Sequence, residues 1–453
     1  MDAREKCEAV DERVSRQSLV VGTAALRPLY GARGPIPLII NPMSALPNPP
    51  SILSFEEARH VVEQHAAGVR PDAVETTELL ASAGRVLAEP VVADRDFPPF
   101  RRAMRDGYAV RAADLVTLPV TLKVVGEIKA GATPEEMPAA IRPRQAAAIM
   151  TGAPAPDGAD AVVMVEYTSQ SSNEVTITRG VARGDNIVPA GSEARKGQRL
   201  LDSGTRIDYR ATALAASVGK SQLSVFVRPK VSIVATGDEL VELREQPGPY
   251  QIRNSNTYSI AAQVEAAGGV PVLPGIGRDD VGELHAAFQN AFQHDLVLLT
   301  GGVSMGKYDL VEQVLEELGA EFFFTGAQIQ PGRPVVFGRA LGKHFFGLPG
   351  NPISTMVTFE LFARPMLEAL SGMAAEPLRF LHARLKSEIK TKTGLTRFLP
   401  GQLSGEFENA QVEPAGWHGS GDVAAMGRAN CYVVIPPDRE RIAAGEWVAV
   451  MLR

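Results

Sequence analysis

The sequence predicts a multidomain protein of the α/β plus β class, built around an α/β domain with a parallel sheet. The main observation is a regular alternation of apolar strands and helices between Val231 and Leu370, which is typical of βαβ units. Short apolar strands divided by Gly and Pro also run from Phe97 to about Asn186 and return after Pro377. These two stretches predict a compact β unit and a small all-β C-terminal domain.

The elements before and after the β unit indicate how it joins the chain. Ser54 begins a Ser-x-x-Glu capping box that opens an amphipathic helix. A second helical stretch is predicted at Glu78–Leu87, followed by an extended segment at Glu89–Asp94. Asp208 is the predicted N-cap of a helix that ends at Val218. We expect the apolar face of this helix to pack on the Ser54 helix, which would make the β unit an insertion within a helical linker domain.

The remaining elements follow from apolar runs of strand or helix length. The β unit has predicted strands at Val120–Val125, Ala146–Met150, Ala161–Val165 and Val175–Thr178. The α/β region has predicted strands at Val231–Ala235, Val270–Leu273, Leu296–Thr300, Phe322–Thr325, Val335–Gly338 and Phe345–Leu348, and predicted helices at Thr257–Ala267, Val281–Gln293, Leu310–Leu318 and Ile353–Leu370. The C-terminal domain has predicted strands at Phe380–Leu385, Cys431–Ile435 and Trp447–Leu452.

These patterns give five segments. Residues 1–50 are predicted to be a disordered or extended arm, because they are rich in proline and lack sustained periodicity. The linker domain is predicted at 51–97 and 189–228, the inserted β domain at 98–188, the α/β domain at 229–376 and the C-terminal domain at 377–453.

Composition excludes several classes of protein. The net charge of −6 argues against a nucleic-acid-binding protein or one that binds acidic membranes. Two cysteines, Cys7 and Cys431, are too few for a disulfide framework. No apolar run approaches the roughly 20 residues that span a bilayer, and the polar N-terminus lacks the apolar core of a secretory signal. We therefore expect a cytoplasmic protein, with no zinc site, in which any metal would have oxygen ligands.

The first of three informative loops is Thr236–Leu240, directly after a predicted buried strand. In open parallel sheets, ligands bind beyond the carboxyl ends of the strands. Two adjacent carboxylates, Asp238 and Glu239, follow the flexible Gly237 and would suit a hard cation such as Mg²⁺. The alternative is that Asp238 caps a helix while Glu239 is merely solvated.

The second loop, Thr300–Gly306, follows the strand at Leu296–Thr300. Its paired glycines, Gly301 and Gly302, would let the backbone approach a ligand, and free amides near a helix start attract anions. Asp309 lies just beyond, where a carboxylate could meet the metal. The alternative is a purely structural turn.

The third loop is Leu348–Ser354. Pro352 suits the first turn of the following helix, so the amides of Ile353 and Ser354 would be open to a phosphate. The alternative is a rigid turn between a strand and a helix. Two further elements converge on the same end of the sheet: Asp279 and Asp280 after the Val270–Leu273 strand, and Arg333, which supplies a cation.

Taken in order, the sequences TGDEL, RNSN, GRDD, TGGVSMG, QPGRP and LPGNP resemble the MoeA family, the molybdopterin molybdenumtransferases, whose animal counterpart is gephyrin. MTGAP, DGYAVR and GEWV belong to the same pattern, which extends from about Ser54 to the C-terminus. The resemblance implies a linker domain, an inserted β domain, a molybdopterin-binding α/β domain and a C-terminal β-barrel. It also implies a homodimer whose cleft joins two subunits, and, as a further expectation, contact with a molybdopterin adenylyltransferase.

The implied reaction uses Mg²⁺ and consumes adenylylated molybdopterin and molybdate, with AMP as a product. The resemblance assigns the metal-bearing part of the cleft to Asp238, Glu239, Asp279 and Asp309. Asp106 would face it from the partner subunit, and together with Glu239, Asp279 and Asp309 it forms the predicted catalytic set. The implied pterin and phosphate pocket consists of Thr236, Gly237, Thr300, Gly301, Gly302, Ser304, Arg333, Pro349, Gly350, Asn351 and Ser354.

The sequence departs from the family pattern at three places. Arg101, Arg102 and Arg105 replace a largely acidic or amide segment before Asp106. This change would either strengthen attraction for an anion or form a solvent-exposed basic loop. Glu193 stands where the family usually has Asp, and Gln330 stands where a lysine is often found, so one expected cation is missing.

Two other functions remain open from the sequence. A molybdopterin adenylyltransferase shares the α/β fold and the TGG loop, although the DGYAVR insertion and the C-terminal β domain favour molybdenum insertion. A non-catalytic molybdopterin-binding scaffold is the other alternative. The carboxylates at 238, 239, 279 and 309 argue against it, because a scaffold needs none of them.

Overall fold

A computed structural model of the protein describes residues 52–71, 73–302, 310–373 and 376–452. The chain first forms strand β1 (Ile52–Leu53), helix α1 (Phe55–Ala67) and strands β2 (Val74–Glu78) and β3 (Val91–Val92). The predicted capping box is confirmed, because the Ser54 side chain accepts from the Glu57 amide and Glu57 reaches back to the Ser54 amide.

The prediction of a helix at Glu78–Leu87 is wrong. This stretch contains the end of β2 and a single 3-10 turn at Leu80–Ser82. Val86 and Leu87 are instead extended and form bridges to Arg206 and Val225. Tertiary pairing therefore overrides the local helical preference here.

The β unit is confirmed as a sheet. Its strands are β4 (Arg102–Ala103), β5 (Gly107–Val110), β6 (Val120–Ile128), β7 (Gln145–Ile149), β8 (Ala161–Met164), β9 (Thr168–Ser171), β10 (Glu174–Ile177) and β11 (Ile187–Val188). Six of them form one sheet in the order β8-β5-β7-β6-β10-β9, while β4 pairs with β11. Both faces of the sheet are covered: alternate residues of β5, such as Tyr108 and Ala109, belong to different hydrophobic clusters.

The chain then returns through strand β12 (Arg199–Leu201), helix α2 (Tyr209–Ser217) and strand β13 (Gln222–Phe226). Asp208 is the N-cap of α2, as predicted, and accepts from the amides of Arg210 and Ala211. The predicted packing of α2 on α1 is wrong. Buried Ala211 and Ala215 pack with residues of β13, whereas α1 packs into the core of the α/β region.

The α/β region alternates strands and helices as predicted. Its strands are β14 (Lys230–Thr236), β15 (Leu240–Val241), β16 (Ile252–Arg253), β17 (Val270–Val272), β18 (Ile276–Gly277), β19 (Leu296–Thr300), β20 (Glu321–Phe324), β21 (Gly326–Ala327), β22 (Ile329–Gln330), β23 (Val336–Ala340) and β24 (Lys343–Leu348). Its helices are α3 (Asn256–Ala266), α4 (Val281–Ala291), α5 (Leu310–Glu317), α6 (Pro352–Thr358) and α7 (Arg364–Leu370). The strand order of the main sheet is β17-β14-β19-β24-β23-β20, and β18 also pairs with β14.

This sheet is mixed rather than wholly parallel. The strands β17, β14, β19 and β24 pair in parallel. Strand β23 is antiparallel to both of its neighbours, β24 and β20. The reason is a two-residue connection between β23 and β24: Leu341 and Gly342 both have positive φ, at 48° and 78°. Such a tight turn joins antiparallel strands, since a parallel pair needs a long crossover.

The helix predicted at Ile353–Leu370 is interrupted by a π-helical turn at Phe359–Ala363, between α6 and α7. A backbone carbonyl of this turn accepts a hydrogen bond from outside the helix. The buried side chain of Arg59 in α1 donates through Nη1 to the carbonyl oxygen of Leu361 over 2.6 Å. Helices α1, α3, α6 and α7 pack on one face of the main sheet, and α4 and α5 pack on the opposite face.

The C-terminal region contains strands β25 (Phe380–Leu385), β26 (Ile389–Lys390), β27 (Thr396–Ser404), β28 (Gln411–Pro414), β29 (Cys431–Ile435), β30 (Arg441–Ile442) and β31 (Trp447–Leu452), with helix α8 (Val423–Arg428). Five strands pair in the closed cycle β25-β31-β29-β27-β28, because β28 returns to β25. The predicted barrel is confirmed. Strand β22 of the α/β region adds to its β27 in parallel.

In the part of the chain that the structure describes, no helix has the length and apolar character needed to cross a membrane.

Candidate functional site

Three loops meet at one edge of the α/β sheet. The parallel register aligns Ala235 of β14 with Thr300 of β19, and Thr300 with Leu348 of β24. The next residues of the three strands, Thr236, Gly301 and Pro349, therefore lie side by side at the carboxyl ends of the strands. This edge is the ligand-binding end of an open parallel sheet.

The glycine loop passes close to its neighbour. Gly301 has a φ of +91°, and a Cβ at this position would lie 2.4 Å from the carbonyl oxygen of Thr236. Only glycine fits such a backbone at this distance. Gly302, with a φ of +61°, is exposed at the mouth of the cleft. Ser304 and Asp309, which were predicted for the pocket and the metal, lie outside the described residues.

Asn256 ties two of the loops together, although it was not predicted as a site residue. Its Nδ2 donates to Thr300 Oγ1 over 3.0 Å and to the carbonyl oxygen of Gly350 over 2.7 Å. The two bonds use both amide hydrogens. The RNSN sequence at the start of α3 was noted in the family pattern, but nothing in its spacing identified this role.

The third loop begins α6 as predicted, with Asn351 as N-cap and Pro352 in the first turn. The expectation that both following amides are open to a ligand is wrong for Ile353. Its amide donates over 2.9 Å to the carbonyl oxygen of Ser420, which comes from the C-terminal region. Ser354 is buried, whereas Gly350 and Asn351 are exposed on the cleft side of the loop.

The carboxylates predicted for a metal lie on the two loops after β14 and β18. Asp238 Oδ1 accepts from the Asp279 amide over 3.3 Å, so Asp238 bridges the loops and is not the N-cap of a described helix. Glu239 is folded back, because a Cβ on Gly237 would lie 2.4 Å from Glu239 Oε2. Asp280 is the N-cap of α4 and accepts from the Glu283 amide.

The carboxylates remain exposed at the cleft. Among the described residues, no group of three or more Asp, Glu, His or Cys has the geometry to hold a metal ion by itself. The protein therefore offers at most a partial ligand set in this part of the chain.

Arg333 is exposed, and its side chain has no hydrogen-bond or ion-pair partner within the described ranges. The preceding segment is fixed by the barrel: β22 pairs with β27, and Gln330 Oε1 accepts from Arg397 Nε over 2.8 Å. The position that lacks the lysine of the family pattern is thus filled by a glutamine that binds a buried arginine of the C-terminal region.

Asp106 belongs to the inserted sheet, immediately before β5. Its Oδ1 accepts from the amide of Thr151 over 2.6 Å and from the Thr151 hydroxyl over 2.8 Å. These two hydrogen bonds lower the pKa of Asp106 below its ordinary value. The carboxylate is exposed and ionised at neutral pH.

The three arginines before Asp106 have different environments. Arg101 donates to the carbonyl oxygens of Ala159 and Pro156. Arg102 Nη2 lies 2.6 Å from Glu193 Oε1, so two of the departures from the family pattern form one ion pair. The segment is therefore only partly a free basic loop.

Three family models match successive parts of the chain. They are the MoeA N-terminal region, domains I and II, at residues 53–219, the probable molybdopterin-binding domain at 232–369, and the MoeA C-terminal region, domain IV, at 382–452.

Curated relatives match over most of their length. The chain is 36% identical over 390 residues to a molybdopterin molybdenumtransferase from Nostoc sp. This match covers 83% of the present chain and 88% of the relative. It is 34% identical to a protein of the same name from Bacillus subtilis, with 81% and 87% covered. Its fold matches the crystal structure of a molybdopterin biosynthesis MoeA protein from Pyrococcus horikoshii OT3 with a TM-score of 0.71 and 28% identity, covering 89% of this chain and 100% of that one.

Proposed function

Because this chain belongs to the MoeA family of molybdopterin molybdenumtransferases, we propose that it transfers molybdenum from molybdate to adenylylated molybdopterin and releases AMP. The observation that supports this reaction most directly is the meeting of three loops at the carboxyl edge of the α/β sheet. Exposed glycine backbone and adjacent carboxylates lie on these loops. The exposed Arg333 follows Gly332, where a Cβ would lie 3.5 Å from the carbonyl oxygen of Ser354.

The pocket for the pterin and its phosphates would be lined by the loop residues at this edge. Backbone amides and hydroxyls can hold phosphate oxygens without added charge, and Arg333 would balance the charge of phosphate or molybdate. We assign this role to Thr236, Gly237, Thr300, Gly301, Gly302, Ser304, Arg333, Pro349, Gly350, Asn351 and Ser354. Asn256 would hold the second and third loops at a fixed separation, as its two hydrogen bonds suggest.

The carboxylates fit a Mg²⁺ ion that arrives with the substrate. Magnesium in nucleotide sites is usually held by one or two carboxylates together with substrate phosphates, rather than by a complete protein cage. A partial set of exposed carboxylates agrees with this arrangement. We assign metal binding to Asp238, Glu239, Asp279 and Asp309. When bound, the ion would neutralise charge on the pyrophosphate as it is cleaved.

We further propose that the protein is a homodimer and that Asp106 completes the cleft of the partner subunit. The support is that every hydrogen bond described for Asp106 lies within the inserted β domain, so its exposed carboxylate is available to a second molecule. Glu239 and Asp106 would then act together only across the dimer interface.

One experiment tests the reaction. The purified protein is incubated with adenylylated molybdopterin, molybdate and Mg²⁺, and AMP release is measured. The expected result is AMP release that depends on Glu239, and a protein that binds the substrate but releases no AMP would refute the proposal. If molybdopterin and ATP instead yield adenylylated molybdopterin and pyrophosphate, the protein is an adenylyltransferase.

Mixed dimers test the shared site. Inactive Asp106→Asn and Glu239→Ala variants are unfolded together, refolded and assayed. If each cleft uses Asp106 of one subunit and Glu239 of the other, half of the dimers are mixed and one of their two clefts is intact, so about a quarter of the wild-type activity returns. A mixture no more active than its parents would refute the shared cleft.

A further inference from the structure

Two arginines from outside the α/β region hold the end of helix α3 that lies away from the cleft. Arg206, which precedes α2, donates through Nη2 to the carbonyl oxygen of Ala266, the last residue of α3, over 2.7 Å. Arg228, which follows β13, donates through Nε to the carbonyl oxygen of Gly268 over 3.1 Å and through Nη2 to that of Gly269. Both arginine side chains are half-buried, so they are part of a packed contact between the two parts of the chain.

The C-terminus of α3 needs a donor from elsewhere in the chain, because the last carbonyls of a helix have no partner within it. The amide of Gly268, at a φ of +98°, and the amide after it donate to the carbonyl oxygens of Glu265 and Val264. This is the pattern of a Schellman motif. In the described part of the chain, it leaves the carbonyl of Ala266 to Arg206. A guanidinium is also favourable at the negative end of a helix dipole.

The other end of α3 lies in the cleft. Asn256, its first residue, donates to Thr300 of the second loop and to Gly350 of the third. The helix has 11 residues and is therefore about 16 Å long. The buried side chain of Ile260 holds it against the sheet, but apolar packing is not directional. Hydrogen bonds at the two ends fix the helix along its axis.

We propose that Arg206 and Arg228 are positioning residues for the cleft. By holding one end of α3, they keep the Asn256 amide at the other end in place between the second and third loops. The inference rests on the proposed function, in which these loops bind the substrate. The core around α2 and β13, with Ile207 and Leu223, is separate from the core that contains α3. The two arginines therefore let this outlying part of the chain set substrate affinity without contacting the substrate.

The first test measures AMP release by the full-length protein over a range of adenylylated molybdopterin concentrations. Arg206→Ala and Arg228→Ala should each raise KM about fivefold and leave kcat within about twofold of the wild type, because a displaced Asn256 weakens binding and not the chemical step. Arg206→Lys can still donate one hydrogen bond to the carbonyl of Ala266 and should restore most of the wild-type KM. A role in folding alone would lower the urea midpoint of the alanine variants with KM unchanged, and that result would overturn the inference.

A double variant tests whether the arginine acts through Asn256. Once Asn256 is replaced by alanine, its link between the loops is gone, so adding Arg206→Ala should change KM no further. If Arg206→Ala raises KM by the same factor with and without Asn256, the two residues act independently and the inference is wrong.

Arg70→Ala is the matched control. Arg70 Nη1 donates over 2.7 Å to the carbonyl oxygens of Ala67 and Val69 at the C-terminal end of α1, a helix that contains none of the proposed cleft residues, so this variant should keep the wild-type KM. Hydrogen exchange gives a readout that needs no turnover. The amides of Gly301 and Gly350 should exchange several-fold faster in both arginine variants of the α3 contact than in the wild type or the control, and equal exchange would overturn the inference. A protein that releases no AMP but shows this faster exchange would contradict the proposed function alone.

Discussion

Acid should destabilise this protein through His344, a half-buried histidine of β24. Its ring is stacked on Phe337 with centroids 5.7 Å apart, and its Nε2 lies 3.4 Å from Nδ1 of His65 in α1. Burial, His65 and Arg339 lower the pKa of His344 from 6.5 to about 4. The folded protein therefore keeps this ring neutral over a pH range in which the unfolded chain is protonated.

The sign and size of the effect follow from proton linkage. Because the pKa is lower in the folded state, the unfolded state binds the extra proton, and stability falls as the pH falls from 6.5 towards 4. Each pKa unit corresponds to about 1.4 kcal/mol, so the group would remove about 2 kcal/mol between pH 7.5 and pH 5. Partial exposure of the ring reduces this to about 1–2 kcal/mol.

The assay is urea unfolding at pH 7.5 and pH 5.0, followed by far-UV circular dichroism. Both tryptophans, Trp417 and Trp447, lie in the C-terminal region, whereas far-UV circular dichroism follows the secondary structure of the whole chain. Hydrogen exchange of β24 amides locates the effect. His344→Phe keeps an aromatic ring and should lose less stability between the two pH values than the wild type.

The control is His382→Gln, which changes an exposed histidine of the barrel and should keep the wild-type pH dependence. If His344→Phe and the wild type lose the same free energy of unfolding between pH 7.5 and pH 5.0, the pKa argument is wrong.

Three further predictions concern the cleft. Glu239→Ala should abolish AMP release while leaving the urea midpoint unchanged, and normal turnover would show that this carboxylate is not needed. Gly301→Ala should destabilise the protein by about 2–3 kcal/mol in urea titrations, because its φ is +91° and its methyl group would lie 2.4 Å from a carbonyl oxygen. Gly319→Ala is its control, with a similar φ of +71° but no atom within 4 Å, and equal losses in the two variants would refute the close-contact argument. Asn256→Asp should raise KM about tenfold by placing a carboxylate against the carbonyl oxygen of Gly350, and an unchanged KM would show that the link between the loops is not needed for binding.

The long strands and the helices of the α/β region were predictable because each has a strong local signal, whereas the two-residue strands β15, β16, β18, β21 and β22 were not predicted. Leu296–Thr300 was predicted to the residue, since a run of five buried residues ends at a glycine pair. The antiparallel edge was missed, because an apolar run contains no information on strand direction. The turn at Leu341 and Gly342 carries that information, but only the glycine is visible as a turn signal in the sequence.

The candidate site was predictable where residues follow a strand end directly, and less so where partners come from far along the chain. Asn256 was missed because its partners, Thr300 and Gly350, are 44 and 94 residues away. The amide of Ile353 was predicted to be free because its partner, Ser420, belongs to another region of the chain. The ion pair of Arg102 and Glu193 spans 91 residues and was likewise invisible as a pair.

The short parallel pairing of β22 with β27 limits how modular this protein can be. The segment before Arg333 pairs its backbone with β27 of the barrel, and its Gln330 accepts a hydrogen bond from Arg397 of the same strand. Cutting the chain before the barrel would therefore also remove the partners that hold the segment before Arg333. For the same reason, a barrel from another protein could be grafted here only if it brought a matching strand edge and a matching arginine.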